Sequence, residues 1–565
     1  MFRPLCWLFA FAFAAHLSGQ ETANIRLIVT TDLHGYIYPY DYYTAKPAER
    51  GLAKAATLIA AARAENPDSL LVDCGDTIQG SALETVYQGF VRTGRAPKGV
   101  VTSGLTADPI VLAMNQLKFD AMAVGNHEFN YGLRNLNAAR NASKFPWISA
   151  NTQTVAGSTE KPFAPYIVKT IKGIKVGVVG ITTPGVPAWE EPKNYKGYQF
   201  LPGKEAAEAA VKDLKAKHNP DIVIVAAHAG LEDTGDLRGE NMVKQIATEV
   251  PGIDGIVFGH THATVAGHWV GNVLVMQPRN WGISIGTMDF ALSKSNGKWQ
   301  VTDKKSKLIP VTKDTLADPA ILAIAKPYHE AAEQYLTSPV AEAPVDMNAQ
   351  LSRIQDTPLI DAIHQTQLHY ADADVSFAAS FNPRVTVRKG PVTVREIAAL
   401  YVYDNTLYGI EGNGKMVREA LENAARFFES CPDAACEHGP LINPKVVGFN
   451  FDMAQGVDYE IDLTKPAGQR IVNLKYKGAP LKDDQPLKIA VNNYRAGGSA
   501  GYTMFKGAKV YYRSPEEIRD LMIRYFAERK SLPAKPDGNW RVVPAAAAAT
   551  LERDAIAETR RGENR

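Results

Sequence analysis

Asp32 and His34, Asp76, Asn126 and His127, His228, and His260 and His262 are the residues of this chain that packing explains least well. Carboxylate, amide and imidazole groups together suit a borderline divalent ion such as Zn²⁺, Mn²⁺, Fe²⁺ or Co²⁺. Each group stands just past a short apolar run. Residues 25–29 lead into Asp32 and His34, 70–72 into Asp76, and 119–124 into Gly125-Asn126-His127-Glu128. Residues 222–225 lead into His228, and 256–258 into Gly259-His260-Thr261-His262. Asp76 is the natural bridge between two ions, because a carboxylate has two oxygens. A pair of ions about 3.5–4 Å apart binds a phosphate, lowers the pKa of a water and steadies both attacking and leaving oxygens. Singly these residues have bland explanations: Asp32 as a loop cap, His228 as a satisfied core histidine. Jointly, ligand-type side chains at five strand ends describe one metal-bearing crevice.

The elements that must position them alternate between strand and helix from about residue 24 to 289. Residues 52–64, 109–117, 204–217 and 241–249 carry apolar side chains at three- and four-residue spacing and read as helices. That alternation predicts an α/β layered domain with its chemistry at the carboxyl ends of the strands. Residues 317–336 read as a further helix, and 337–348, with two prolines and little periodicity, as a linker. A second unit over about 349–530 mixes helices (358–370, 394–400, 415–428) with short strands (458–462, 471–476, 487–491, 509–512). Its organisation is α+β. The tail 531–565, with an alanine run and closing charges, reads as frayed helix or disorder.

A length of 565 residues implies two domains. A formal charge of +2 gives no reason to expect a nucleic-acid polymer or an anionic membrane as partner. Residues 1–20 read as an export signal: Arg3 supplies a basic start and 8–15 an apolar core too short to span a bilayer with ease. The alternative is an uncleaved anchor. Cleavage fits after Ala12-Phe13-Ala14 or Ser18-Gly19-Gln20. With the signal removed no stretch is apolar enough to cross a membrane, so a periplasmic or secreted location is expected. Cys6 leaves with the signal; Cys74 reads as a buried strand-end thiol. Cys431 and Cys436 could close a disulfide loop in an oxidising compartment, or, with His438, contribute to a metal site short of ligands.

Asp32-Leu33-His34, Gly75-Asp76-Thr77-Ile78-Gln79-Gly80, Gly125-Asn126-His127-Glu128, His228 and Gly259-His260-Thr261-His262 resemble, in order, the calcineurin-type metallophosphoesterase set. The second unit resembles the C-terminal domain of the 5′-nucleotidase family, which includes the 2′,3′-cyclic-nucleotide 2′-phosphodiesterase/3′-nucleotidases. The resemblance implies a β-sandwich flanked by helices over 24–316 and a substrate-binding domain over 349–530. It implies Asp32, His34, Asp76 and His262 on one ion, and Asp76, Asn126, His228 and His260 on the other. His127 takes the place of a catalytic histidine that stabilises charge on the phosphoryl group and leaving oxygen. The 5′-nucleotidases pair that histidine with an aspartate three residues on; here the position is Asn130, which cannot raise an imidazole pKa as a carboxylate does. That departure, with Tyr40-Asp41-Tyr42-Tyr43, looks more like the cyclic-phosphodiesterase branch.

For a nucleotide substrate, Tyr403 and Tyr494 could sandwich a base, each stacking contact being worth about 1–3 kcal/mol, unless they are interfacial core aromatics. Arg384 suits a phosphate or ribose oxygen through its planar fork. The resemblance adds Asn405 as a base-contacting amide, Arg353 as a second phosphate-side arginine, and the paired glycines Gly497 and Gly498. Ser499-Ala500-Gly501-Tyr502 follows those glycines where 5′-nucleotidases have Asp-Gly-Tyr, which bears on base or ribose selection. The expected activity is a two-metal opening of 2′,3′-cyclic nucleotides and removal of 3′-phosphate. The alternatives are a 5′-nucleotidase or nucleotide-sugar diphosphatase, and a retired nucleotide- or surface-binding protein.

Overall fold

The computed structural model describes residues 21–563, apart from 233–238, 404, 432–435 and 437–439. The signal-like segment 1–20, Asp404 and His438 lie outside the described residues.

Two six-stranded sheets form the first unit. One runs Lys298–Pro310, Ser284–Ser295, Thr22–Thr30, Ser69–Asp73, Ala121–Ala123, Trp147–Ile148. The other runs Val265–Val270, Val273–Gln277, Gly255–Phe258, Ile222–His228, Ile174–Thr182, Tyr166–Ile171. Thr22–Thr30, Ser69–Asp73 and Ala121–Ala123 are parallel neighbours, as are Ile174–Thr182, Ile222–His228 and Gly255–Phe258. Successive side chains of a strand point to opposite faces, so each strand feeds two cores. Leu27, Val29, Leu70 and Val72 meet Val176, Val178, Ile222 and Ile224 between the sheets. Ile28 and Leu71 face outward onto the helices Leu52–Glu65 and Pro109–Leu117. Val223, Val225 and Ala227 face the helix Gly203–His218 on the far side. Burial on both faces is why these strands read as continuous apolar runs. The architecture is the helix-flanked sandwich that the resemblance implied.

The second unit is built on a five-stranded sheet in the order Asp452–Gln455, Val375–Ala379, Pro486–Asn492, Thr406–Asn413, Val510–Glu517. The helices Pro358–Ala371 and Gly414–Ala424 pack against it in a single apolar cluster. Cys431 and Cys436 are joined as a disulfide.

Two expectations need correction. The supposed linker contains the strand Pro339–Ala343, paired antiparallel with Gly390–Thr393. Pro339 opens that strand, a position where a missing N–H costs nothing to the ladder. The tail, expected as frayed helix or disorder, is helical over Ala546–Glu563 and also supplies a strand. Trp540–Val543 adds in parallel to the strand Asp458–Asp462, and the helix Ala546–Glu563 follows it. Ala547, Leu551 and Ala555 recur at four-residue spacing and are all buried, so the alanine-rich run hides one apolar stripe. Asp554 accepts the Leu441 N–H at 2.6 Å. Trp540 is wedged beside Phe451 and Tyr459, with ring centroids 5.9 and 6.3 Å away.

The units meet through Tyr40-Asp41-Tyr42-Tyr43. The Arg395 guanidinium donates to the Tyr42 carbonyl at 2.9 Å and pairs with Glu333 at 2.7 Å. Arg519 lies over the Tyr43 ring at 3.9 Å. Arg395 sits in the helix Val394–Leu400, which starts in a capping box: Thr393 and Glu396 each accept the other's backbone N–H.

Trp540→Ala should destabilise the protein by about 3–5 kcal/mol, the range for emptying a buried tryptophan site. Urea unfolding followed by circular dichroism measures it. An unchanged midpoint would mean that the tail is not part of the cooperative fold.

Candidate active site

The ligand-type residues converge at the carboxyl ends of the parallel strands in two clusters, Asp32 with His34 and His262, and Asp76 with His228 and His260. Within each, the candidate ligand atoms lie within 4.8 Å of one another. His34 Nε2 is 3.1 Å from His262 Nε2, and His262 Nε2 is 3.5 Å from Asp32. His228 Nε2 is 3.0 Å from Asp76 Oδ2 and 3.0 Å from Asn126 Oδ1. His34 Nε2 and His127 Nε2 each stand 3.9 Å from Asp76 Oδ2, so Asp76 is the corner the clusters share.

The backbone has been bent to bring this about. Asp32, His34, Asp76, His260 and His262 all have φ between 47° and 74°, the left-handed region that non-glycine residues rarely enter. Such strain, of order 1–3 kcal/mol per residue, persists only where the surroundings over-determine it. Glu128 is one such constraint. Fully buried, its carboxylate accepts the backbone N–H of Asp76 at 2.9 Å, of Thr77 at 2.6 Å and of Gly125 at 2.7 Å, and the Thr77 hydroxyl at 3.0 Å. It ties the loop after one strand to the loop after the next. Gly125 is required for that approach: a Cβ there would overlap the Asp76 carboxylate.

The donor set fits divalent cations. The carbonyls of Gln79 and Cys74 lie 2.9 and 2.8 Å from Nδ1 of His34 and His228. Each ring gives its Nδ1 proton to that carbonyl and turns Nε2 inward, the second-sphere arrangement that orients a histidine ligand. Burial holds His34 down at about pKa 3, so its ring is neutral, as a ligand must be. Burial also disfavours charge on His228, but the adjoining Asp76 carboxylate outweighs it and raises the ring to about 10. Asp32 is buried, which alone would raise its carboxyl, yet the His262 contact brings it to about 2. Two buried anions therefore stand among imidazoles at a place built for positive charge.

His127 lies beside these clusters, its ring centroid 5.2 Å from that of His34, while its backbone N–H donates to Asp76 Oδ1 at 2.8 Å. Its Nδ1 bonds the Asn130 side-chain oxygen, and the Asn130 amide in turn donates to Glu190. Asn194 holds the other Glu190 oxygen at 2.7 Å. The carboxylate absent from position 130 thus reappears one side chain further out. Glu190 was not legible from spacing, lying 60 residues from its partner. Nor was Glu240, whose carboxylate meets His260 Nε2 at 2.9 Å. Glu128 was in plain view within Gly125-Asn126-His127-Glu128, but only the fold discloses what it binds.

In the second unit, Tyr403 and Tyr494 are not core aromatics: 41% and 62% of their surfaces are exposed. Tyr403 sits edge-on to Phe381 and Phe449, with centroids 5.1 and 6.1 Å away, and Phe449 is itself 38% exposed. Arg384 is exposed. Arg353 donates to the Ser380 carbonyl at 3.0 and 3.2 Å. Asn405 is buried and its amide points to the Tyr401 hydroxyl at 3.2 Å. Gly498, with φ 86°, provides a left-handed turn beside Gly497.

A helix-flanked sandwich with two Asp/His clusters at its strand ends is the scaffold of a metal-dependent phosphoesterase. Residues 25–264 match the calcineurin-like phosphoesterase family and 338–507 the 5′-nucleotidase C-terminal domain. The chain is 32% identical over 94% of its length, and 89% of the other's, to the 2′,3′-cyclic-nucleotide 2′-phosphodiesterase/3′-nucleotidase of Haemophilus influenzae. It is 31% identical over 94% of its length to the trifunctional nucleotide phosphoesterase protein YfkN of Bacillus subtilis, of which it spans 40%. The NAD nucleotidase structure of Haemophilus influenzae superposes with a TM-score of 0.64, covering 93% of this chain and 100% of that one at 19% identity, a likeness of fold. The chain belongs to the 5′-nucleotidase family of calcineurin-like metallophosphoesterases, and it is a two-metal-dependent hydrolase.

Asp76→Asn should abolish hydrolysis while leaving the chain folded, because the shared corner loses its charge for both ions at once. Metal content and turnover on purified protein test this; near-normal activity with two bound ions would overturn the shared role. His127→Ala should keep both ions and lower kcat by about 10²–10³, the usual cost of removing one donor aimed at developing charge. Loss of metal from that variant would make His127 a ligand instead.

Proposed function

We propose that the chain is an exported nucleotide hydrolase that opens 2′,3′-cyclic nucleotides and removes the phosphate from 3′-nucleotides. The observation that carries the reading is the pairing of two Asp/His clusters cornered on Asp76 with a second unit that presents exposed aromatic rings. The activity of the Haemophilus relative and Asn130 in place of a carboxylate both favour the cyclic and 3′ branch. The disulfide Cys431–Cys436 and the signal-like residues 1–20 support a periplasmic or secreted location. No helix among the described residues is long and apolar enough to cross a membrane.

In this reading Asp32, His34, Asp76 and His262 hold one ion, and Asp76, Asn126, His228 and His260 the other. Bound there, two divalent ions supply positive charge for the phosphoryl oxygens and make water a competent nucleophile at neutral pH. His127, held by Asn130 with the Glu190 charge behind it, points Nε2 toward the reacting group. From there the ring can donate to the oxygen that leaves. The tyrosines take the base from either side, and Arg384 and Arg353 steady phosphate or ribose oxygens. The 5′-nucleotidase reading is supported by the match over 338–507. A retired binding protein would have no physical need for a complete donor set. Comparing hydrolysis of 2′,3′-cyclic AMP, 3′-AMP, 5′-AMP and UDP-glucose across a divalent-metal series tests the reading; preference for 5′-AMP would reject it.

Tyr403→Ala and Tyr494→Ala should raise KM for 2′,3′-cyclic AMP about 5–150-fold, equivalent to about 1–3 kcal/mol of stacking, with kcat nearly unchanged. Bis-p-nitrophenyl phosphate, which has no nucleobase, should be hydrolysed almost as before. Equal damage on both substrates would mean that the tyrosines support the fold rather than the base.

A further inference from the structure

A second group of metal-type side chains lies in the C-terminal unit, away from the histidine clusters. Asp356, Asp361 and Asp537 bring one carboxylate oxygen each to within 4.8 Å of one another. Oxygens bound at 2.3–2.6 Å to one Ca²⁺-sized ion can be no more than about 5 Å apart, so the three fit a common ion. Asp361 is buried, Asp356 half-buried and Asp537 exposed, leaving one side open to water.

An acidic cluster alone would be unremarkable beside a helix start. The buried polar atoms around it are what make it different. Gln455, 8% exposed, donates its amide to Asp537 Oδ2 at 2.7 Å, yet its own Oε1 has no hydrogen-bond partner. Thr357, next to Asp356 and 6% exposed, has an unpartnered hydroxyl. His364 is 2% exposed and lies three residues after Asp361, on the same face of Pro358–Ala371. Its Nδ1 meets Ser376 at 2.9 Å, the Asp537 charge reaches its ring, and its Nε2 is unpartnered. An orphaned buried polar atom costs about 1–3 kcal/mol, and the Gln455 oxygen belongs to an amide already anchored on Asp537, which points to a missing partner there.

We propose that Asp356, Asp361 and Asp537, with the buried Gln455 amide bonded to Asp537, form a site for a hard divalent cation of the Ca²⁺ class. The all-oxygen donor set separates it from the imidazole-rich catalytic clusters, which suit softer ions. Its place in the fold gives it work to do. Asp361 already accepts the Asp537 N–H at 2.9 Å and Asp356 the Gly538 N–H at 2.8 Å. A cation shared by the three would lock this turn, which leads into Trp540–Val543, onto the start of Pro358–Ala371.

The test uses the full chain with its catalytic ions in place. Adding CaCl₂ should raise the thermal midpoint progressively with concentration, as expected for a ligand of the folded state. Tb³⁺, an oxygen-seeking Ca²⁺ surrogate, should give luminescence on exciting Trp540 and Tyr459, and Ca²⁺ should displace it. Asp537→Asn, at an exposed position where folding is not at risk, should weaken Ca²⁺ binding at least roughly tenfold, since ligand charge sets affinity at such sites. Turnover measured without added Ca²⁺ should be unchanged in that variant. No midpoint shift in the wild type, or equal shifts in wild type and Asp537→Asn, would overturn the proposal.

Discussion

The burial of Asp76 is the constraint on which the catalytic half depends. The residue is 1% exposed, in surroundings where an unpaired anion would cost several kcal/mol. The His127 N–H on one oxygen and the His228 ring on the other answer part of that cost, and the cation-binding arrangement answers the rest. Everything near it is shaped to permit the approach of these groups. Asp76 itself takes a left-handed backbone, Gly75 before it adopts φ 96°, and Gly125 omits the side chain that would strike it. Glu128 then secures the two loops from below with backbone N–H groups as donors. Conformational strain at one residue is held in place by hydrogen bonds from another strand end, so the loops cannot relax separately.

Much of this was legible in the sequence because doubly buried parallel strands leave a continuous apolar signature and end sharply. A polar residue at such an end is conspicuous, and Asp32, Asp76, Asn126, His228 and His260 all stand out that way. The helices Pro109–Leu117 and Val394–Leu400 fall where apolar spacing puts them. What failed was reading by composition. The alanine run of the tail reads as frayed helix or disorder because composition does not show that Ala547, Leu551 and Ala555 share one buried stripe. The prolines near 339 looked like a linker, although a first-position proline is compatible with an edge strand. The supporting carboxylates Glu190 and Glu240 were invisible for another reason: their positions carry no periodicity, and their meaning is only who they meet.

The tyrosine-rich segment after the first motif shows how the two units are kept in register. Tyr42 is 1% exposed and its hydroxyl bonds His329 at 2.9 Å, so the segment is anchored on the helix Pro319–Leu336. From there its backbone and the Tyr43 ring are offered to Arg395 and Arg519 of the second unit. Both arginines use the planar guanidinium in ways an ammonium would not match, one through directed donors and one across a ring face. The contact begins only six residues after Asp32-Leu33-His34. The docking surface and the first ligand loop are therefore parts of one chain segment, and a shift in one is felt in the other.

In the proposed reading, that coupling bears on how substrate contacts can be divided between units without loss of precision. Stacking on a tyrosine tolerates rotation and small displacement of a base, whereas in-line attack at phosphorus does not. In the proposed reading the tolerant interaction falls to the exposed rings of Tyr403 and Tyr494 in the second unit, and the exacting one to buried groups on strained strand ends of the first. Exposure at Tyr403 and Tyr494 is thus consistent with their proposed role rather than a weakness of the fold, since a ring buried in its own core has no face left for a base. Rigidity is concentrated where distances decide the chemistry. Adaptable apolar surface is left where only affinity is at stake.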